Sequence, residues 1–153
     1  MPVSNAMANS YKTELFSGTH ASGDVYKLLL LKVGASGTYD ATLTNVGTPG
    51  SGAPSTSNVG TDECAATGGY TSGGVTLSGF SATLQGTTAV LDFTTPTIPA
   101  STISAIGGVI YNSSKSNKVV GTFTFGGTIS SSSGTFTATM PTVGSGTSLL
   151  RIA

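Results

Sequence analysis

Charge is scarce in this sequence. Of its 153 residues only 8% are Asp, Glu, Lys or Arg, and the six acidic residues balance the six basic ones. Domains that bind nucleic acid usually present a basic patch or stripe, and anionic membrane surfaces attract clusters of Lys and Arg. Six scattered cations form neither, so we expect no nucleic acid and no membrane among the partners of this protein.

Residue types that commonly carry chemistry are also few: the chain has one Cys, one His and no Trp. Cys64 alone makes no intramolecular disulfide, and the neighbouring Asp62 and Glu63 would raise the pKa of its thiol instead of activating it. We interpret Cys64 as a small buried hydrophobe and His20 as an ordinary loop histidine. The sequence therefore predicts no enzyme activity, no cofactor and no metal site.

Three alternatives remain open at this point. Cys64 and His20 could form a nucleophilic pair if the fold brings them together. Two of the few carboxylates could serve a glycosidase, although no Trp is present to stack a sugar. Asp62, Glu63 and nearby backbone carbonyls could bind calcium.

Long apolar runs are missing as well. No window approaches the roughly 18 apolar residues that a membrane span needs. The first ten residues lack a basic region followed by an apolar one, so we expect no secretory signal there. We treat residues 1–8 as an N-terminal extension.

What the chain has in abundance is Gly, Ser and Thr, with 22, 22 and 26 copies. This composition is typical of threonine-rich strands joined by many turns. The glycine pairs match no phosphate-binding fingerprint and are interpreted as turn or bulge glycines; they are Gly68-Gly69, Gly73-Gly74 and Gly107-Gly108. A neutral surface favours association, so it suits a protein that is packed against others.

The densest apolar stretch is 24–33, with the sequence DVYKLLLLKV. Both alternating faces of this run are apolar, which indicates a strand buried on both sides. We expect it at the centre of a sheet. A second sheet containing Val90, Ile110, Phe123 and Phe136 would cover one face, and an N-terminal helix or a neighbouring subunit the other.

A short helix is predicted over 9–17. Asn9 or Ser10 would cap its start and Gly18 would end it. At two turns it needs a surface to dock on. We therefore predict Tyr11, Leu15 and Phe16 as interface residues.

The rest of 9–153 reads as one domain with a long exposed loop at 48–60. Short strands are predicted at 75–77, 80–84, 87–93, 106–111, 119–125, 135–140 and 149–152, with turns at 126–127 and 130–134. Eight to ten short strands indicate an all-β domain, a single β-sandwich or a jelly-roll-like barrel, with the short helix at its N-terminus.

Several stretches resemble a family of small β-rich virion proteins of tailed bacteriophages. The likeness covers about two thirds of the chain and omits 44–66. It is carried by the early apolar strand, a Gly-Tyr-Thr-x-Gly-Gly turn, an aliphatic strand that ends in Tyr, a Phe-Gly-Gly turn and a closing Phe-Thr strand. In this sequence these are 27–33, 69–77, 107–112, 123–127, 134–141 and 149–152.

The resemblance implies a non-enzymatic structural protein of the virion, a head decoration or cement protein on the outer capsid surface. Its partners would be the major capsid protein and copies of itself, with a trimer possible. Two other functions remain open: a phage tail or fibre component, and a host-surface or carbohydrate-binding β-sandwich module.

Overall fold

The computed structural model describes residues 2–153, which form two antiparallel β-sheets and one short helix. The prediction of an all-β chain with a short N-terminal helix is confirmed. In chain order the elements are β1 (Ala6–Met7), α1 (Asn9–Phe16), β2 (Tyr26–Lys32), β3 (Val75–Thr76), β4 (Ser81–Gln85), β5 (Thr88–Asp92), β6 (Thr97–Asn112), β7 (Lys118–Thr137) and β8 (Leu150–Ile152). No helix in this part of the chain is long and apolar enough to cross a membrane.

The larger sheet has the strand order β1-β7-β6-β2-β3. Its strands β6 and β7 are long, and they continue past β2 as a two-stranded ribbon in which residues 97–105 pair with 129–137. The predicted turns at 126–127 and 130–134 are wrong, because β7 runs through both. Between the pairs Gly107–Thr124 and Ala105–Ile129 the register shifts. The glycines there serve a bulge that lets the ribbon continue.

Strand β2 is buried on both faces, as its sequence predicted. Leu28 to Leu31 are each at most 3% exposed. The strand lies between β6 and β3, so the middle position of the sheet belongs to β6 and the expected central place of β2 is wrong by one strand. Strand β6 pairs extensively with both β2 and β7, whereas β3 pairs with only two residues of β2.

The smaller sheet has the order β4-β5-β8. Aromatic packing links it to the larger one: the Tyr26 ring of β2 lies 5.3 Å from the Phe80 ring and 5.4 Å from the Phe93 ring. Phe80 immediately precedes β4 and Phe93 immediately follows β5. The smaller sheet therefore contributes to the cover of the β2 face that carries Tyr26.

The expected composition of that cover is partly wrong. Val90 does belong to the smaller sheet, in β5. Ile110 and Phe123 lie in β6 and β7, and Phe136 lies farther along β7, so all three share the sheet of β2. Alternation along a strand shows which residues share a face, but it does not show which sheet the strand joins.

Helix α1 agrees with its predicted range to within one residue. Its N-cap is Ala8, with no side-chain cap, so the expected capping by Asn9 or Ser10 is wrong. The Asn9 side chain accepts a hydrogen bond from Lys12 instead, while the backbone N–H of Asn9 donates to the Ala41 carbonyl at 2.8 Å. Gly18 follows the helix with a φ of +68°, as expected of a terminating glycine.

Residues between β2 and β3 form what we call the 34–74 segment. It has one turn of 3-10 helix at Gly60–Asp62 and no other helix or strand. Five large side chains of the segment are nevertheless at most 1% exposed; they are Tyr39, Leu43, Val46, Val59 and Tyr70. Most of 48–58 is exposed, and the predicted loop ends where Val59 enters the core.

Candidate functional site

Two adjacent carboxylates organise the 34–74 segment. Asp62 is 2% exposed, and its Oδ2 accepts hydrogen bonds from the Ser36 N–H at 2.9 Å, the Gly37 N–H at 2.7 Å and the Tyr39 hydroxyl at 2.7 Å. One oxygen thus collects donors that lie more than twenty residues earlier in the chain. The first part of the segment is thereby fastened to its middle.

Glu63 fastens the second part in the same way. Its Oε1 accepts from the Tyr70 hydroxyl at 3.0 Å and from the Gly73 N–H at 2.7 Å, and its Oε2 accepts from the Ser72 hydroxyl at 2.9 Å. The Tyr70 oxygen in turn accepts the Leu30 N–H of β2 at 2.9 Å. A chain of buried hydrogen bonds therefore runs from the sheet through Tyr70 to Glu63.

The pKa of the Asp62 carboxyl reflects this arrangement. Burial alone would raise it, but hydrogen bonds from Gly37, Tyr39 and Ser36, with the nearby charge of Lys32, hold the pKa below its ordinary value. Burial and the bond to Asp62 raise the pKa of Tyr39. At neutral pH Asp62 is a charged acceptor and Tyr39 a neutral donor, which is the combination that the geometry requires.

These contacts bear on the calcium and glycosidase alternatives. One oxygen of each carboxylate, Oδ2 of Asp62 and Oε1 of Glu63, already accepts two or more hydrogen bonds from the chain itself. Among residues 2–153 no group of three or more His, Cys, Asp or Glu side chains is placed to share a metal ion. The two carboxylates are best described as clamps for the segment.

Cys64 is 6% exposed, and burial raises the pKa of its thiol to about 12. Its Sγ lies 3.7 Å from the Ser104 carbonyl oxygen. The interpretation of Cys64 as a small buried hydrophobe is confirmed. The hydrogen bonds of His20 go to other residues, so the fold does not pair it with Cys64.

His20 instead belongs to a polar cluster at the C-terminal end of α1. Its ring Nε2 lies 2.7 Å from Oε2 of Glu14, and its Nδ1 lies 3.0 Å from Nδ2 of Asn112. Lys118 donates to the other Glu14 oxygen at 2.6 Å. The Tyr11 ring packs on the imidazole at a centroid distance of 4.6 Å. Helix, loop, β6 and β7 are joined at this point.

The orientation of Asn112 determines the tautomer of His20. Its Oδ1 accepts the Ser114 N–H at 3.1 Å, so its Nδ2 points to Asp24 at 2.7 Å and to His20. The imidazole Nδ1 is then an acceptor, and the proton resides on Nε2 and is donated to Glu14. Burial would raise the pKa of Glu14, but hydrogen bonds from Lys118 and His20 lower it overall. The cluster is arranged to hold α1 in place.

A cavity lies beside this cluster. This cavity, which we call the hollow, has a volume of about 250 Å³ and lies between α1 and the smaller sheet. Its walls are mainly apolar and include Tyr11, Leu15, Phe80, Leu91, Leu150 and Ile152. Arg151 also lines it, and in the described residues no carboxylate lies within ion-pair distance of its guanidinium.

An apolar row of the smaller sheet extends the hollow outward. Leu84, Ala89 and Ile152 lie directly opposite one another on β4, β5 and β8, so their side chains share a face. Leu84 is 68% exposed and Ile152 is 47% exposed. Together with Leu15 and Phe16 of α1, these three residues form what we call the helix–sheet face.

The three predicted interface residues have different environments. Tyr11 is buried, and burial together with the charge of Glu14 raises its pKa to about 12. Leu15 is partly exposed at the rim of the hollow, and Phe16 is 97% exposed. Sequence reasoning placed all three near one face, but it missed the row on the smaller sheet that continues this surface. The alternation of Leu84 with polar neighbours was the available signal.

A larger groove of about 400 Å³ lies next to the hollow, between β1, β7 and the segment 138–151. Both cavities are lined by Met7, Leu150 and Arg151. The groove has a mixed lining, with threonines and a serine among Phe123, Phe125 and Met140. The edges of both sheets, β1 and β8, meet there.

Comparisons with protein-family models, with curated proteins and with solved structures found no match to this chain.

Proposed function

We propose that this protein is a structural component of a tailed-phage virion, a decoration or cement protein on the outer capsid surface. The resemblance of its strand and turn pattern to such proteins supports this proposal. One structural observation carries it further: every acidic side chain accepts a hydrogen bond within the chain. These residues are Glu14, Asp24, Asp40, Asp62, Glu63 and Asp92.

This use of the carboxylates has a consequence for the surface. With few charges left outside, the exterior consists largely of neutral Ser, Thr and Gly, together with the apolar helix–sheet face. Charge-poor surface is what the buried centre of a protein interface needs. It also gives little electrostatic protection against association. A protein of this kind is suited to being one part of a larger assembly.

The mechanism is interfacial burial. Many copies would bind across joints between major capsid subunits, and binding that exists only in the assembled shell stabilises that shell by mass action. The partners are the major capsid protein and further copies of this chain, with trimers at local three-fold positions as one arrangement. The protein then acts without enzyme chemistry, cofactor or metal, and neither nucleic acid nor a membrane is needed.

The fold that we propose for this role is a β-sandwich. Two antiparallel sheets are present, and the packing of Tyr26 against Phe80 and Phe93 supports a face-to-face arrangement. A jelly-roll-like variant remains the second candidate for the connections. The exposed part of 48–60 is the segment that would vary with position in the particle.

The test is sedimentation with purified phage heads. The protein should co-sediment with full and empty tailless heads, and its removal should lower the temperature at which full heads release DNA. Heads to which the protein is added back are the matched control and should recover the original temperature. Retention on isolated tails instead would favour a tail or fibre component, and binding to a glycan array without any capsid would favour the host-surface module; either result, with no binding to heads, contradicts the proposal.

A further inference from the structure

Phe16 is the most exposed large apolar side chain in the described part of the chain. It is the last residue of α1 and is 97% exposed, whereas its neighbour Leu15 contacts the rim of the hollow. Isolated apolar residues on a surface are ordinary. Phe16 differs because a ring that points to solvent lies next to an open apolar cavity on the same molecule.

The hollow has the size and lining to receive such a ring. It encloses about 250 Å³, and aromatic walls from Tyr11, Tyr26 and Phe80 face aliphatic ones from Leu91, Leu150 and Ile152. Aromatic rings pack favourably against other rings in tilted or edge-on arrangements. The chain therefore carries a protruding ring and a matching cavity side by side.

We propose that Phe16 of one copy of this chain occupies the hollow of a second copy. Because the ring and the hollow adjoin on one face, each copy can insert its Phe16 into the hollow of the other. This two-fold arrangement forms a closed dimer. The row Leu84–Ala89–Ile152 flanks the inserted ring. The biological role of this contact rests on the assembly function proposed above. The contact itself identifies the surface through which two copies bind each other.

The estimated area is that of a weak, concentration-dependent contact. An aromatic side chain buries roughly 150–250 Å², so two inserted rings and the walls they cover account for about 600–1,000 Å². The exposed parts of Leu15, Leu84 and Ile152 on both copies add to this figure. The total approaches the lower limit of about 1,200 Å² for standard specific interfaces.

The first test measures mass as a function of concentration by analytical ultracentrifugation of the full chain. The unmodified protein should form a concentration-dependent oligomer. Phe16→Ser, which removes the ring, and Ala89→Phe, which fills the hollow, should each raise the dissociation constant about tenfold or more. Val143→Ser and Ala53→Phe change exposed positions elsewhere and should leave it unchanged.

The second test locates the contact. Protein with Ser17→Cys is mixed with protein carrying Ala89→Cys and treated with a short bis-maleimide; the native Cys64 is buried and its pKa is raised to about 12, so it should stay unreactive. A cross-linked heterodimer is expected. Adding Phe16→Ser to the Ser17→Cys protein should abolish it, and Ala53→Cys in place of Ala89→Cys should give none.

Two results would overturn the inference: a monomer at every concentration, or an oligomer whose mass and cross-linking are insensitive to Phe16→Ser and Ala89→Phe. Unfolding curves of both variants show whether they remain folded, and both positions are exposed, so they should. Failure here is distinguishable from failure of the proposed function. A strictly monomeric protein that still binds heads retains the cement role and loses only the self-contact.

Discussion

The 34–74 segment has little regular secondary structure but several buried side chains, whereas the helix–sheet face has regular secondary structure but largely exposed side chains. The segment has hardly any regular structure, yet Tyr39 and Tyr70 are each 1% exposed and hydrogen-bonded to buried carboxylates. The residues of the helix–sheet face lie on a regular helix and three paired strands, yet Phe16 and Leu84 are largely exposed.

The comparison shows that a segment can be held in one conformation without regular secondary structure. Backbone groups in an irregular segment must find partners outside a ladder, and here Asp62 and Glu63 supply several of them. The cost is that each carboxylate becomes indispensable, because its loss leaves several donors unpaired. On the helix–sheet face the backbone is satisfied locally, so side chains there are free to serve contacts with other molecules. We expect substitutions in the first region to change folding and those in the second to change association.

The largest loss should come from Gly74→Ala. Gly74 has a φ of +86°, and an added Cβ would lie 2.1 Å from the Leu28 carbonyl oxygen of β2. Backbone atoms on both sides cannot move aside without disturbing the sheet, so we expect a loss of about 4 kcal/mol or more in the free energy of unfolding. Urea denaturation followed by circular dichroism measures it.

The matched control is Gly86→Ala. Gly86 has a similar φ of +64°, but an added Cβ would meet nothing within 4 Å. Only the cost of the left-handed conformation remains, about 1–2 kcal/mol. Equal losses in the two variants would contradict the argument that close packing against β2 fixes the end of the segment.

Asp62→Ala should be the next most severe change. It leaves the Tyr39 hydroxyl and the N–H groups of Ser36 and Gly37 without their acceptor, and each buried unpaired donor costs about 1–3 kcal/mol. We expect a loss of about 3 kcal/mol or more in urea unfolding. Asp40→Ala, which removes an acceptor only from the nearby Thr42, should cost about 1 kcal/mol. The comparison fails if the two substitutions are equally costly.

Acid should weaken both the 34–74 segment and the polar cluster that holds α1, through different carboxylates. The pKa values of Asp62 and Glu14 are lowered in the folded protein. A lowered folded pKa means that the contribution to stability is complete above the unfolded value, about 4, and is lost as pH falls through the folded value. The free energy of unfolding should therefore decrease steadily from about pH 5 downward, as measured by urea titrations at successive pH values.

Salt distinguishes the two contributions. Glu14 is paired with Lys118, whose side chain is 40% exposed, so this part should shrink in high salt. Asp62 is held mainly by neutral donors and should be less affected. Asp62→Asn should thus flatten the acid slope at low and high salt alike, and Glu14→Gln mainly at low salt. The reverse pattern would show that the assignments are exchanged.

Local patterns predicted much of this fold. The two-sided burial of 28–31, the helix predicted over 9–17 and strands β4 and β5 to within two residues follow from periodicity, which is a property of consecutive residues. Gly68, Gly73 and Gly74 have positive φ values, in agreement with their interpretation as turn glycines. The burial of Phe136 and Ala138 also follows their alternation, although β7 itself ends at Thr137.

Features that depend on distant partners were not predictable in this way. Nothing in the Gly126-Gly127 pair shows that it faces a continuous β6, and a bulge then replaces the expected turn. The roles of Asp62 and Glu63 depend on donors seven to twenty-six positions away. The hollow combines α1 with strands from the second half of the chain. In each case the deciding contact joins residues whose sequence neighbourhoods carry no common signal.

The smallest effect on stability should come from Leu84→Ser, and it separates the two regions most sharply. Leu84 is 68% exposed on the edge strand β4, so we expect a change within about 0.5 kcal/mol in urea unfolding. Leu91→Ala in β5, where the side chain is 7% exposed, should cost about 2–5 kcal/mol. If Leu84→Ser also weakens self-association in sedimentation while folding is unchanged, the apolar row belongs to contacts between molecules. A loss of stability comparable to that of Leu91→Ala would instead place Leu84 among the groups that hold the monomer together.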